Sequence, residues 1–192
     1  PGPRFCVAPR VTSLVFLLYA LGHLILFAGA LALLLRHRQP ATVPLLIVTF
    51  GLVYDNAMLA SGRWIGHREL LERLSVPRFF MHAFGTPLLI LTALGFVQRI
   101  GQAWTRSGIL TGAAAVLTIL MIGVGVERDL VNLELVAKQA ADLVSYGNAA
   151  AAGAPVAPTV TIIALIVAGA IVWQSGGGPW LLAGAIAQSV AA

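Results

Sequence analysis

Residues 11–38 read VTSLVFLLYALGHLILFAGALALLLRHR, and this stretch decides the solvent in which the chain folds. No charged side chain occurs from 11 to 35, and then Arg36 and Arg38 close the run. A helix over 11–35 is longer than the roughly 30 Å hydrocarbon core of a bilayer. The run is also too long for a signal-peptide core. It ends in Arg36-His37-Arg38 instead of a small-residue cleavage site, so a retained membrane helix is expected.

Working outward, the same pattern recurs at 41–61, 79–97, 108–126, 159–173 and 180–192. The whole chain of 192 residues is 59% hydrophobic and only 10% charged. Soluble domains carry about 25% charged residues, so water cannot be the main solvent of this surface. The expected fold class is all-α: a polytopic membrane bundle of about six transmembrane helices, forming one domain over 1–192. The sixth run has about 13 residues, short of the usual 20 or so. Either the native chain continues, or a half-inserted helix sits in a thinned bilayer. Barrel strands alternate in polarity over about ten residues, whereas these runs are continuously apolar, so a barrel is excluded. No internal repeat supports an inverted-repeat transporter.

Two longer polar segments, 62–78 and 127–158, lie on one side of this topology. In 62–78, Trp64, Ile65, Leu70, Leu71, Leu74 and Val76 alternate with charges at helical spacing. That pattern predicts a short amphipathic helix, either in the membrane interface or packed on its own bundle. In 127–144, Leu130, Val131, Leu133, Val136, Ala140 and Leu143 predict a helical apolar stripe. Residues 145–158, rich in Ala, Gly and Pro, read as a loop. Pro87 inside the third span removes a backbone donor and should free the carbonyl of Ala83. Gly108 and Gly112 give the fourth span a small-xxx-small spacing.

The formal charge is +5, and 11 of the 12 basic residues are Arg. They flank apolar runs without forming a face, so they read as headgroup contacts, and nucleic acid is excluded as a partner. The single cysteine, Cys6, rules out an intrachain disulfide or thiolate cluster. It is an inert thiol or a juxtamembrane palmitoylation site. Side A, with the N-terminal arm, 62–78 and 127–158, holds eight basic residues and six carboxylates. Side B, with 36–40, 98–107 and 174–179, holds Arg36, Arg38, Arg99 and Arg106 and no acid. Raw count favours side A as cytoplasmic and loop density favours side B. The long 127–158 segment, easier to place outside, tips the reading to side B.

Only one carboxylate, Asp55, lies within a span, about 6–9 Å from the side A end. A charge at the bilayer centre costs about 2.5–3.5 kcal/mol, and less towards the interface, so Asp55 should face the bundle and find a partner. Gly51, Met58 and Gly62 share its helical stripe. Topology gathers Asn56, His82, Arg63, Arg78 and Glu127 at the same end, with Tyr146 and Asn148 able to fold back over it. A carboxylate beside an imidazole serves general bases, proton relays and metal ligands. His23, near mid-membrane, is a weak candidate for haem or pigment ligation, and a satisfied histidine is its plainer reading. The chain has no His-Glu-x-x-His helix, Gly-x-Ser-x-Gly elbow or Walker loop, and no Lys in a span for a retinal Schiff base. The cofactor is left open and no metal is expected.

Three functions fit these residues. In the first, a polar site at the side A mouth, between spans two, three and four, binds a lipid headgroup, small polar molecule or ion. In the second, an intramembrane enzyme uses Asp55 and His82 as an acid–base pair on a lipid-like substrate, with Arg63 or Arg78 on its headgroup. In the third, the chain is an accessory subunit of a larger redox or pigment complex. Membrane lipids are the expected partners, with other membrane subunits as a further one. Against all three stands a polar network that merely fixes helix packing.

Overall fold

The computed structural model describes residues 13–191 except 39, 41, 141 and 152. Cys6 and the N-terminal arm lie outside the described residues. The chain forms an all-α polytopic bundle of six helices: α1 (Ser13–His37), α2 (Thr42–Ile65), α3 (Glu69–Gln98), α4 (Gly108–Val131), α5 (Val156–Gln174) and α6 (Trp180–Ala191). The first five are long and apolar enough to cross a membrane. Helix α6 has 12 residues, too few for a full crossing by the same measure.

The third helix is longer than its apolar run. Gly66, with φ +73°, turns the chain after α2, and α3 starts at Glu69. From there it continues through a π-helical turn, Met81–Gly85, to Gln98. The 62–78 segment is therefore helical from Glu69, as its spacing predicts, but it forms the first turns of the third span. The reason is a buried edge. Leu71 and Ser75, one turn apart, are both fully buried, and Tyr54 of α2 donates to the Leu74 carbonyl at 2.7 Å. Trp64 and Leu70 stay exposed.

Helix α3 is the centre of the bundle and packs on α2, α4 and α5, while α1 packs chiefly on α2. Ala93 and Val97 of α3 meet Ala168 of α5 in a small apolar core. Small residues set these approaches. A Cβ on Gly169 would lie 2.6 Å from the backbone nitrogen of Leu182 in α6. A Cβ on Gly125 would lie 2.9 Å from the Ala83 carbonyl oxygen. That is the carbonyl released by Pro87, and a glycine Cα–H faces it in place of an amide. The π turn just before Pro87 absorbs the same disruption. A second π turn, Glu127–Val131, ends α4 and touches the first.

The expectation of helix over 127–144, and of no strands, is overturned. After the second π turn the chain forms an antiparallel hairpin, β1 (Leu135–Ala140) and β2 (Leu143–Asn148), with Ala140 paired to Leu143. The apolar stripe at helical spacing has no helical neighbour to meet. Instead Val144 of β2 is buried, with its carbonyl directly over Gly62 at the end of α2. Tertiary contact outweighs the local period, as it often does for strands. Pro158 lies inside the first turn of α5, where a missing N–H costs nothing, so that helix starts at Val156, ahead of the apolar run.

Candidate functional site at the hairpin end

The hairpin closes one end of the bundle, which is side A of the sequence. Its turn carries Asp142. The Asp142 carboxylate accepts from the Ser13 backbone N–H at 3.2 Å, where α1 begins, and pairs with Arg63 at 3.2 Å, where α2 ends. Its Oδ1 has no partner among the described residues. At the other end of the hairpin, Asn148 Oδ1 accepts from the backbone N–H groups of Glu134 and Ala150, at 3.1 and 3.0 Å. Asn148 Nδ2 also lies 3.5 Å from the Arg128 and Asp129 carbonyls at the end of α4, so these contacts hold the ribbon across the ends of α1, α2 and α4.

Asp55 lies beneath it. The carboxylate faces α3, as the cost of exposing it to lipid demands. It accepts from Arg78 Nε at 2.5 Å, and the two side chains are only 18% and 14% exposed. Arg78 Nη1 also donates to the Tyr146 carbonyl of the hairpin at 3.4 Å. One guanidinium thus joins α2, α3 and β2. The Gly51–Asp55–Gly62 stripe is a contact surface along its length. Gly51 faces Met81, and Gly62 faces the hairpin backbone.

The gathering of polar residues at this end is only partly a cluster. His82, exposed in the first π turn, lines a cavity of about 30 Å³ with Asp55, Arg78 and Thr86, enough for one water or small ion. Among the described residues Asp55 bonds Arg78 and not His82. Asn56 is buried and donates to the Leu52 carbonyl of its own helix at 2.7 Å, so it takes no part. Arg63 leaves for Asp142 and lies over the Trp64 ring at 5.2 Å. His23 Nδ1 is 2.8 Å from the Tyr19 carbonyl one turn earlier, a histidine satisfied within its own helix. Tyr146 does fold back, with its ring edge-on to His67.

Glu127 belongs to a separate place. It lines a polar cavity of about 270 Å³ with Arg128, Asn132, Ala150, Ala154 and Val156. Arg128 Nη2 donates to the Gly153 carbonyl at 3.3 Å, but its buried Nε has no hydrogen-bond acceptor among the described residues. Asp129 is its nearest carboxylate, at 3.9 Å. Sequence reasoning missed Asp142 and Asn132. Strand-forming Val136 on one side of Asp142, and Val144 and Tyr146 on the other, are the signal that would have found the hairpin and its anchor.

Comparison with family models, with curated proteins and with solved structures gives no match for this chain.

Proposed function

We propose that this chain is a multi-pass membrane protein that binds a small zwitterionic or polar molecule at its hairpin end, without catalysing a reaction on it. The observation that carries this reading is the 270 Å³ cavity lined by the exposed Glu127, Asn132 and Arg128, whose buried Nε has no hydrogen-bond acceptor among the described residues. A buried guanidinium donor left without an acceptor is costly unless a ligand or water supplies one. Opposite charges side by side favour a ligand that carries both, such as an ethanolamine phosphate headgroup. The Asp55–Arg78 pair then serves as the latch that holds the hairpin in place above α2 and α3.

The catalytic alternative draws on Asp55 and His82 lining one small cavity. It is weakened because the Asp55 carboxylate is already paired with Arg78 and has no hydrogen bond to His82 among the described residues. The cavity, at about 30 Å³, also has room for one water and not for a lipid headgroup. The accessory-subunit alternative draws only on the exposed apolar face of α1, which a lipid covers equally well.

The test is calorimetric titration of the purified protein with phosphoethanolamine, glycine and ethanolamine. The expected result is binding of phosphoethanolamine and about tenfold weaker binding in Glu127→Gln, the loss of one charge-assisted bond. No binding of any of the three would sink the reading. Turnover of a phosphoethanolamine lipid that disappears in His82→Gln would replace it with the catalytic one.

A further inference from the structure

The opposite end of the bundle has a different chemistry. A cavity of about 280 Å³ opens there between α1, α2 and α3, lined by Leu33, His37, Thr42, Leu45, Thr92, Phe96 and Arg99, with Gly95 beside them. Because α1 packs chiefly on α2, a groove is left between α1 and α3 with α2 as its floor. Leu33, Leu45 and Phe96 make the walls apolar. Two features of its lining are unsatisfied.

The first is Thr92. It is 3% exposed, and its Oγ1 has no hydrogen-bond partner among the described residues. Three other buried helical threonines, Thr49, Thr118 and Thr161, bond back to a carbonyl one turn earlier. Thr92 lines the cavity, and its hydroxyl donor has no acceptor among the described residues. The second is charge. All seven carboxylate side chains of the protein, from Asp55 to Asp142, are at or near the hairpin end. Arg99 and His37 at this rim, with Arg36 and Arg38 beside them, have no acidic side chain within the bundle to meet. Arg99 is held over Phe96, its guanidinium carbon 5.7 Å from the ring centroid. The α2 helix begins here at Thr42, adding the positive end of its dipole.

We infer that this groove is a binding site for an anionic glycerophospholipid, whose phosphate sits on Arg99 and His37 and whose ester carbonyl accepts the Thr92 hydroxyl. The spacing supports it. Thr92 is seven residues from Arg99, about 10 Å along the helix. Side chains lean towards the helix N-terminus, so the Arg99 guanidinium reaches back towards Thr92 and shortens that span. In such a lipid the ester carbonyls lie just below the phosphate, and the acyl chains continue into the bilayer along the apolar walls. A hydroxyl donor at that depth needs an acceptor, and an ester carbonyl is the acceptor a membrane provides there. This site is independent of the one proposed at the hairpin end.

The test is native mass spectrometry of the full chain in detergent. It compares di-ester phosphatidylglycerol, its di-ether analogue, phosphatidylcholine and inorganic phosphate. The expected order is di-ester phosphatidylglycerol first, the ether analogue several-fold weaker, and the zwitterionic lipid and free phosphate weaker still. Arg99→Gln lowers phosphatidylglycerol binding about tenfold and Arg99→Lys retains most of it. Thr92→Val keeps the shape of the side chain and abolishes the preference for ester over ether, while Thr92→Ser preserves it. Equal binding of the anionic and zwitterionic lipids overturns the inference, and so does an unchanged affinity in Arg99→Gln. Free phosphate binding as tightly as the lipid shows a simple anion site and overturns the assignment to a lipid. An ester preference that survives in Thr92→Val removes the role of the hydroxyl.

Discussion

The two ends of this bundle are built from similar numbers of helix termini and treat charge in opposite ways. At the hairpin end, arginines find carboxylates of their own chain: Arg78 with Asp55, Arg63 with Asp142, Arg73 with Glu69. At the opposite end Arg36, Arg38, Arg99 and Arg106 find none. The first end is closed by protein, through a hairpin whose backbone needs donors and acceptors beneath it. At the second, no hairpin covers the arginines among the described residues. An ion pair that is mostly withdrawn from water works as a fastener, because either partner alone is costly there. An unpaired arginine at a membrane rim works as a receptor for an anion.

The largest expected effect tests the fastener. Arg78→Met leaves the Asp55 carboxylate withdrawn from water without its partner, and should cost about 3–5 kcal/mol of stability. The Asp55→Asn, Arg78→Met double variant should recover most of it. Thermal unfolding in detergent measures both, and a single variant as stable as the parent would break the comparison at its first end. Next come the glycine contacts. Gly125→Ala places a methyl 2.9 Å from the Ala83 oxygen, and Gly62→Ala places one onto the Val144 carbonyl. Each should cost about 1–3 kcal/mol by overpacking. Only Gly62→Ala should also speed hydrogen exchange across 135–148, because it lifts the hairpin and not a helix.

Asp142→Ala should have a smaller effect, about 1 kcal/mol or less. Its pair with Arg63 is 48% and 32% exposed and so is screened by water, and its Oδ1, without a partner among the described residues, already offsets part of the gain. Faster exchange at the 140–143 turn, with the helices unchanged, is the signature to look for. The smallest effect belongs to the other end. Arg36→Gln and Arg106→Gln should each change unfolding in lipid-free detergent by no more than about 0.5 kcal/mol, because neither has a side-chain partner among the described residues. A loss as large as that of Arg78→Met would show a hidden partner and erase the contrast between the ends.

The helices were legible because hydrocarbon sets both their length and their polarity. A run such as 11–35 allows one answer, and the spacing of polar breaks sorts the loops onto two sides. The inward aim of Asp55 was legible for the same reason, since lipid offers a carboxylate nothing. Its partner was not. His82 and Arg78 are four residues apart on one helix, so they share a face and a similar depth. Choosing between them depends on how α3 is rotated against α2, which Met81 against Gly51 and Leu71 against the end of α2 decide.

The hairpin is the clearest case of what sequence period cannot supply. Leu130 to Leu143 carries a helical stripe, yet a stripe stabilises a helix only if something apolar lies along it. The surface available was the flat end of α2, opened by Gly62, and a two-stranded ribbon fits it. By itself, then, the sequence determined the solvent, the number of apolar helices and the end at which every carboxylate gathers, because transfer from water to hydrocarbon is decided residue by residue. Tertiary packing alone decided which arginine takes Asp55, that a ribbon covers it, and that Thr92 lines a cavity with no acceptor among the described residues, because these depend on distances between helices that no single segment encodes.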